Sequence, residues 1–149
     1  MDYGKATQHC GVCGISNIQI MSPPLIELDG LRVVVDRVVH MPQLDAPPDR
    51  PHPFVYFLTI HNDSTETVTI RGRKWVVTDA EGQQVVVEGD GVVGQFPCLD
   101  PGTHFSYNSY HVIGSDSVAE GSFFGVTEKG ARVFTRIPPF PMQAPATAA

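Results

Sequence analysis

The 149-residue sequence predicts an all-β sandwich, and three observations support this prediction. No window of eleven residues has the i, i+3, i+4, i+7 apolar spacing of an amphipathic helix. About seven or eight short strand-like segments alternate with turn signals, as in two-sheet folds. Apolar residues also occupy alternate positions of one segment, so that one strand presents an inward row of Phe54, Tyr56, Leu58 and Ile60.

The first third of the chain supplies two strands and a long loop. Residues 1–30 carry several glycines and prolines without a clear period, so we expect a poorly ordered or partly packed extension. Leu31–His40 is valine-rich and predicts a strand. Met41–Pro53 holds five prolines and therefore predicts a loop rather than a helix or a central strand. Phe54–Asn62 predicts the second strand.

The rest of the chain continues as short strands. A Gly/Pro-rich crossing over residues 89–102 interrupts them. At the C-terminus we expect the chain to fray beyond Phe140 and residues 143–149 to form a flexible tail. The runs of three valines show little alternation, so we expect those strands to be covered on both faces. Phe105, Tyr107 and Ser109 form a second inward row. The predicted strands are Thr67–Arg71, Arg73–Asp79, Gln84–Glu88, His104–Val112, Ser122–Thr127 and Arg132–Ile137.

Composition narrows the class of protein and its location. The net charge of −6, from ten basic and sixteen acidic residues, argues against a wide nucleic-acid interface. The longest apolar runs are too short to span a membrane, and the N-terminus lacks a signal-peptide pattern. The odd, low cysteine count of three fits a reducing compartment. We therefore expect a soluble cytoplasmic protein that binds neither membrane nor nucleic acid.

Several separated motifs, in one order, resemble the ApaG family. They are the segments TIHN, RKWVVTDAEG, GDGVVGQ and EGSFFGVTEKGARVFTRIPPF, which lie within a domain predicted over residues 31–142. Lys74 departs from the pattern, because His commonly stands there. The resemblance implies an immunoglobulin- or fibronectin-type-III-like sandwich of two antiparallel sheets. It also implies an association with divalent cation (cobalt, magnesium) resistance and with a diadenosine-polyphosphate hydrolase operon, although a fold does not fix a function.

A glycine-rich loop and three nearby cations are the first candidate site. Residues 89–94 spell G-x-G-x-x-G, but no helix follows to hold a pyrophosphate, so we favour a structural role for these glycines. A weak anion site or a partner-binding patch is the alternative, and a solvated edge is the plainest interpretation of the cations. We expect Trp75 to lie in the core, because sandwich folds of this kind often bury a tryptophan on a central strand. The possible anion- or partner-binding residues are Arg71, Arg73, Lys74, Gly89, Asp90, Gly91 and Gly94.

The second candidate site is a set of metal-binding residue types near the N-terminus. His9, Cys10 and Cys13 form H-C-x-x-C, which supplies half of a tetrahedral zinc site, with Cys98 as a distant third thiolate. No second ligand pair follows, so we favour free thiols. The remaining histidines show no metal signature by spacing. They are His40, His52, His61, His104 and His111.

These observations favour a non-catalytic module that binds another protein. The sequence contains no nucleophile elbow, phosphate-binding loop or metalloprotease motif, so we predict no catalytic residue and no cofactor. The partner is a protein of unknown identity, and a homodimer through an edge strand is allowed. The alternative function is weak phosphate or nucleotide binding, or an enzyme that acts on dinucleoside polyphosphates.

Overall fold

The fold comes from a computed structural model that describes residues 24–146. These residues form nine strands and no helix, and therefore no helix long and apolar enough to cross a membrane. The strands are β1 (Leu25–Glu27), β2 (Leu31–His40), β3 (His52–Asn62), β4 (Val68–Asp79), β5 (Gln84–Asp90), β6 (Cys98–Leu99), β7 (Thr103–Ile113), β8 (Ser117–Thr127) and β9 (Arg132–Met142).

The strands build the predicted two-sheet sandwich. The large sheet has the order β1-β9-β8-β4-β5, with β6 paired to β4, and the small sheet has the order β2-β3-β7. All pairs are antiparallel except β1 with β9, which run parallel. The parallel pair departs from the prediction of purely antiparallel sheets. β1 is an end strand of the large sheet. It can run parallel to β9 because the two strands are far apart in sequence and are not joined by a hairpin, which would make them antiparallel.

The predicted inward rows fill the space between the sheets. Phe54, Tyr56, Leu58 and Ile60 are all buried, and Trp75 is 1% exposed, as the core prediction requires. The row of Phe105, Tyr107 and Ser109 on β7 is half-buried, while the residues between them are exposed. Period-two patterning therefore predicted the core-facing side of both strands.

The prediction for one valine run is wrong. Val85, Val86 and Val87 on β5 are 44%, 53% and 40% exposed, although we expected such runs to be covered on both faces. The reason is position, because β5 ends the large sheet and no described strand lies beyond it. In β2 the corresponding run is buried or half-buried. Composition alone did not distinguish an edge strand from a covered one.

Several predicted boundaries also differ from the structure. The two strands predicted on either side of Gly72 form one strand, β4, and a register shift against β8 between Ile70 and Gly72 marks a bulge. The loop predicted to end at Pro53 is shorter, because β3 begins at His52 and includes Pro53; proline is tolerated near the start of a strand. The last strand continues past Phe140 to Met142. Within the predicted N-terminal extension, the structure describes β1 and leaves residues 1–23 outside its range.

We predict that Gly121 is indispensable for the pairing of β4 with β8. A Cβ atom at this position would overlap the carbonyl O of Lys74 and lie 3.2 Å from the Cα of Trp75, so backbone would have to move. We expect Gly121→Ala to lower the free energy of unfolding by about 2–4 kcal/mol in urea denaturation. Gly72→Ala is the matched control, since its Cβ would meet nothing closer than 3.4 Å. Equal stability of the two variants would contradict this packing.

Candidate functional site: the open edge of the sandwich

One side of the sandwich is closed and the other is open. On the closed side, the hydroxyl of Thr135 in β9 donates a 2.7 Å hydrogen bond to the carbonyl O of Leu31 in β2. On the open side, β5 and β7 end their sheets, and no described strand pairs with their outer edges. A cavity of about 220 Å³ lies between them, which we call the edge groove. Its lining includes Tyr56, Trp75, Val85, Val87, Tyr110 and His111.

Aromatic rings from both sheets form the floor of the edge groove. The ring centroid of Trp75 lies 4.6 Å from that of His111 and 4.8 Å from that of Tyr56, and the Tyr56 and His111 centroids are 4.8 Å apart. Trp75 Nε1 and His111 Nε2 are buried without a hydrogen-bond partner among the described residues. A buried polar atom without a partner costs free energy. The floor is therefore apolar in the main but holds two unused polar atoms.

Burial keeps the ionisable floor groups neutral near pH 7. It lowers the pKa of His111 to about 4, so its imidazole carries no charge. Burial also raises the pKa of Tyr56, an effect that a hydrogen bond with Ser109 and the charge of Arg73 partly offset. Beside the floor, the pKa of Tyr107 is also raised, by burial and by its neighbour Tyr56. Neutral groups of this kind suit apolar and hydrogen-bonding contacts with a ligand.

Exposed apolar side chains form the walls of the groove. Val85 and Val87 project from β5, and Tyr110, 40% exposed, projects from β7. The phenol of Tyr110 donates a 3.2 Å hydrogen bond to the carbonyl O of Asp45, which attaches the proline-rich loop to the groove rim. The loop before β3 therefore contributes to the shape of the site, as loops beside binding sites commonly do.

The two ends of the groove carry different charges. A second cavity of about 320 Å³ continues it toward the β4–β5 turn, and its lining includes Asp49, Asp79 and Glu81. Arg50 lines both cavities and lies 3.9 Å from the Asp49 carboxylate. Arg73 lines the groove where β5 ends. One end is thus acidic, the middle is apolar, and the other end bears a cation.

The structure brings together part of the predicted anion- or partner-binding set. Arg73 donates hydrogen bonds from its guanidinium to the carbonyl O of Asp90 at 2.8 Å and of Gly91 at 3.2 Å. The Lys74 ammonium lies 3.7 Å from the Glu88 carboxylate. One open depression of about 520 Å³ is lined by Arg73, Lys74, Gly89 and Asp90, together with Glu88, Gly72 and Phe124. Two carboxylates thus balance its two cations.

The glycine-rich loop forms a tight turn instead of a free cradle. The N–H of Gly91 donates to the carbonyl O of Arg71 at 2.8 Å. Val92 and Gln95 exchange two backbone hydrogen bonds of 2.8 and 2.9 Å around residues 93–94, whose φ angles are 42° and 81°. The left-handed φ of the second turn residue is the conformation that glycine permits at low cost. Arg71 places its guanidinium 5.8 Å from the ring centroid of Phe96, away from the depression.

The predicted metal-binding residues His9, Cys10 and Cys13 lie outside the described residues. Within residues 24–146, no cluster of three or more His, Cys, Asp or Glu side chains is arranged to hold a metal ion. Cys98 is free and exposed. The half-site from the N-terminus therefore stays a prediction.

Apart from Arg73, sequence reasoning missed the residues that line the edge groove. Tyr56 was assigned to the core, and His111 was only one of several scattered histidines. A usable signal existed, because His111 continues the inward row of β7 by one further step of two residues. The wall formed by Val85 and Val87 had no such signal. It depends on which strand ends the sheet, and strand order is a tertiary property.

We predict that His111 makes the protein acid-sensitive. Between about pH 6.5 and its lowered pKa of about 4, the unfolded chain binds a proton at this residue that the folded chain does not bind. The free energy of unfolding therefore falls as pH falls, by at most about 3 kcal/mol. We expect His111→Phe to reduce the loss in denaturation midpoint from pH 7.5 to 4.5. His104→Phe, on the exposed face of the same strand, should keep the wild-type loss; an equal response would contradict this assignment.

The chain is similar to known sequences over most of its described part. The family model for the ApaG domain matches residues 42–126. Protein ApaG of Vibrio vulnificus strain YJ016 is 39% identical over 93 residues, which is 62% of this chain and 74% of that protein. Protein ApaG of Rhodospirillum centenum is 39% identical over 116 residues, covering 77% of this chain and 88% of the relative. Neither name states a catalytic activity.

Solved structures agree with the fold. An X-ray structure of the structural-genomics target SoR45 superposes with a TM-score of 0.71 at 31% identity and covers 80% of this chain and 90% of that one. A crystal structure from Bordetella pertussis, described as an ApaA protein, gives 0.70 at 30% identity and covers 83% and 100%. The sandwich, the matched segment and these similarities establish that the chain belongs to the ApaG domain family.

Proposed function

We propose that the protein is a non-catalytic binding module that holds an extended segment of a partner protein in the edge groove. The observation that carries this proposal is the outer edge of β5, which no strand of residues 24–146 pairs with and whose valines lie beside an aromatic floor. The outer edge of an end strand presents backbone N–H and C=O groups that another strand can pair with. Pairing of this kind supplies affinity through main-chain hydrogen bonds, and pockets for alternate side chains supply specificity.

The sequence of β5 supports its role as the docking edge. Natural sheets protect their end strands with Lys, Pro or a covering loop. Over residues 84–87, β5 has neither Lys nor Pro and offers three exposed valines in succession. Such an edge is a liability in a soluble protein unless a partner uses it.

The floor and ends of the groove favour a particular kind of segment. An apolar side chain fits the central cavity, because its surroundings are the rings of Tyr56, Trp75 and His111. A basic side chain suits the end near Asp49 and Glu81, by charge complementarity. We therefore propose a segment with an apolar centre and a basic residue toward the β4–β5 turn.

The predicted cations belong to the same proposal. Arg73 lines both the edge groove and the neighbouring depression, so the patch of Arg73, Lys74, Gly89 and Asp90 is continuous with the groove. We propose that this patch contacts the partner beyond the end of β5. The family's link with divalent-cation resistance, which the resemblance implies, indicates the physiology in which that partner is to be sought.

We predict that Val87→Asp weakens peptide binding at least about tenfold, because a bound segment would cover the new carboxylate in an apolar wall. Peptides are first selected from a random library on the purified protein. Their affinity is then measured by the fluorescence of Trp75, the only tryptophan of the chain. Val86→Asp is the matched control, since this neighbour is 53% exposed and does not line the groove. Equal losses in the two variants, or no selected peptide, would contradict the proposed site.

We predict that millimolar pyrophosphate leaves the amide resonances of residues 89–95 unshifted in NMR titration. The N–H groups of Val92 and Gln95 already donate within the turn, and that of Gly91 donates to the carbonyl O of Arg71. Glu88 and Asp90 add negative charge beside the turn. Saturable shifts that raised salt weakens would instead favour the anion site at these residues. Turnover of a dinucleoside polyphosphate, lost on a single substitution, would favour the enzyme and contradict the binding module.

A further inference from the structure

Two histidines lie opposite each other on the outer face of the small sheet. His61 on β3 and His104 on β7 are direct register partners, and their ring centroids are 5.6 Å apart with an interplanar angle of 38°. His104 is exposed and His61 is half-buried. Neither imidazole forms a hydrogen bond with a described residue, so a nitrogen of each ring is available to bind a metal ion.

The separation of the two rings suits a shared metal ion. Two imidazole nitrogens that bind one ion at about 2.0–2.1 Å, with a tetrahedral angle between them, hold their ring centroids about 5 Å apart. The observed 5.6 Å differs from this value by an amount that small side-chain rotations supply. Imidazole is a ligand for zinc, copper and nickel, whereas magnesium and calcium prefer oxygen.

The surrounding sheet holds the pair in place. The pairing of β3 with β7 runs without a register shift from His52 and Ile113 to Asn62 and Thr103, so the two histidines keep a fixed backbone spacing. Arg32 on β2 is the register partner of His61 on the other side of β3, and its guanidinium lies 2.7 Å from the Asp63 carboxylate. That ion pair offsets the positive charge of Arg32 beside the histidines.

A hydrogen-bonded group lies in the next row of the same face. The hydroxyl of Thr59 donates a 2.6 Å hydrogen bond to the Asp36 carboxylate and lies 2.8 Å from the hydroxyl of Ser106. Thr59 and Ser106 are two residues from His61 and His104 along their strands, which places them on the same face as the histidines. Because no third His, Cys, Asp or Glu side chain of the described residues joins the two histidines in a metal-holding group, water would complete the coordination of an ion bound there.

We propose that His61 and His104 form a two-histidine site for a borderline transition-metal ion of the zinc, nickel and copper class. It lies on the outer face of the small sheet, separate from the edge groove. The two remaining coordination positions open to solvent, so the bound ion is exchangeable and accessible to a further ligand. This site does not depend on the peptide-binding role of the groove.

Ni²⁺ titration of the full-length protein tests the site. When the titration is followed by NMR, we expect paramagnetic broadening centred on residues 59–61 and 104–106. When Ni²⁺ binding is measured by calorimetry, we expect His61→Gln and His104→Gln each to weaken the affinity by at least about tenfold. Loss of a residue that only hydrogen-bonds to a metal ligand already lowers metal affinity about 10–100-fold. Mg²⁺ should give neither effect.

Two controls separate this site from other ligands. His52→Gln makes the same change on β3 outside the pair and should keep the wild-type affinity. A Cys10→Ser, Cys13→Ser variant removes the thiolates of the N-terminal half-site and should keep the broadening at the sheet. Broadening confined to other residues, or unchanged affinity in the His61 and His104 variants with their folds intact by circular dichroism, would overturn the proposal.

Discussion

The contact between Trp75 and Tyr56 joins the two sheets and determines much of the architecture around it. Trp75 lies on β4, an inner strand of the large sheet, and Tyr56 lies on β3, the central strand of the small one, with their rings 4.8 Å apart. The sole cysteine of the described part, Cys98, is free, so no disulfide joins these sheets. Aromatic packing and burial of apolar side chains therefore hold them together. The same rings, approached from the open side, are the floor of the edge groove.

The difference between the two sides of the sandwich explains why a groove exists. The hydrogen bond from Thr135 to Leu31 brings β9 against β2, so that side is closed by chain. Across the molecule, β5 and β7 end their sheets, and no strand of the described residues lies between them. The contact between Trp75 and Tyr56 keeps the sheets close enough to shape a cavity there. Apolar surface that folding leaves exposed at such a place favours association with a partner. The closed side and the groove thus both follow from the order in which the strands are arranged in the two sheets.

Much of the fold was predictable, because the signals involved are local. Alternation along β3 and β7 predicted which side faces the core, and turn residues predicted most strand boundaries to within a few positions. Arg73 lines the groove beside Trp75 and Lys74 is exposed, because successive residues of a strand point to opposite faces. What failed was the interruption at Gly72. There the chain continues as one strand with a bulge, because β8 pairs with β4 on both sides of Gly72. Local sequence propensity contains no information about this pairing.

By itself, the sequence determined that this chain is a two-sheet sandwich with Trp75 in its core, and its motifs resembled the ApaG family. Period-two patterning, turn chemistry and motif order are all properties of neighbouring residues, so they can be read along the chain. Only the tertiary structure decided that β5 ends a sheet and that His111 faces Trp75. It alone set His61 opposite His104 and turned Arg73 toward the carbonyls of a tight turn. These placements depend on strand order and register between distant segments. They arise from the joint packing of the sheets, which no single segment of the sequence specifies.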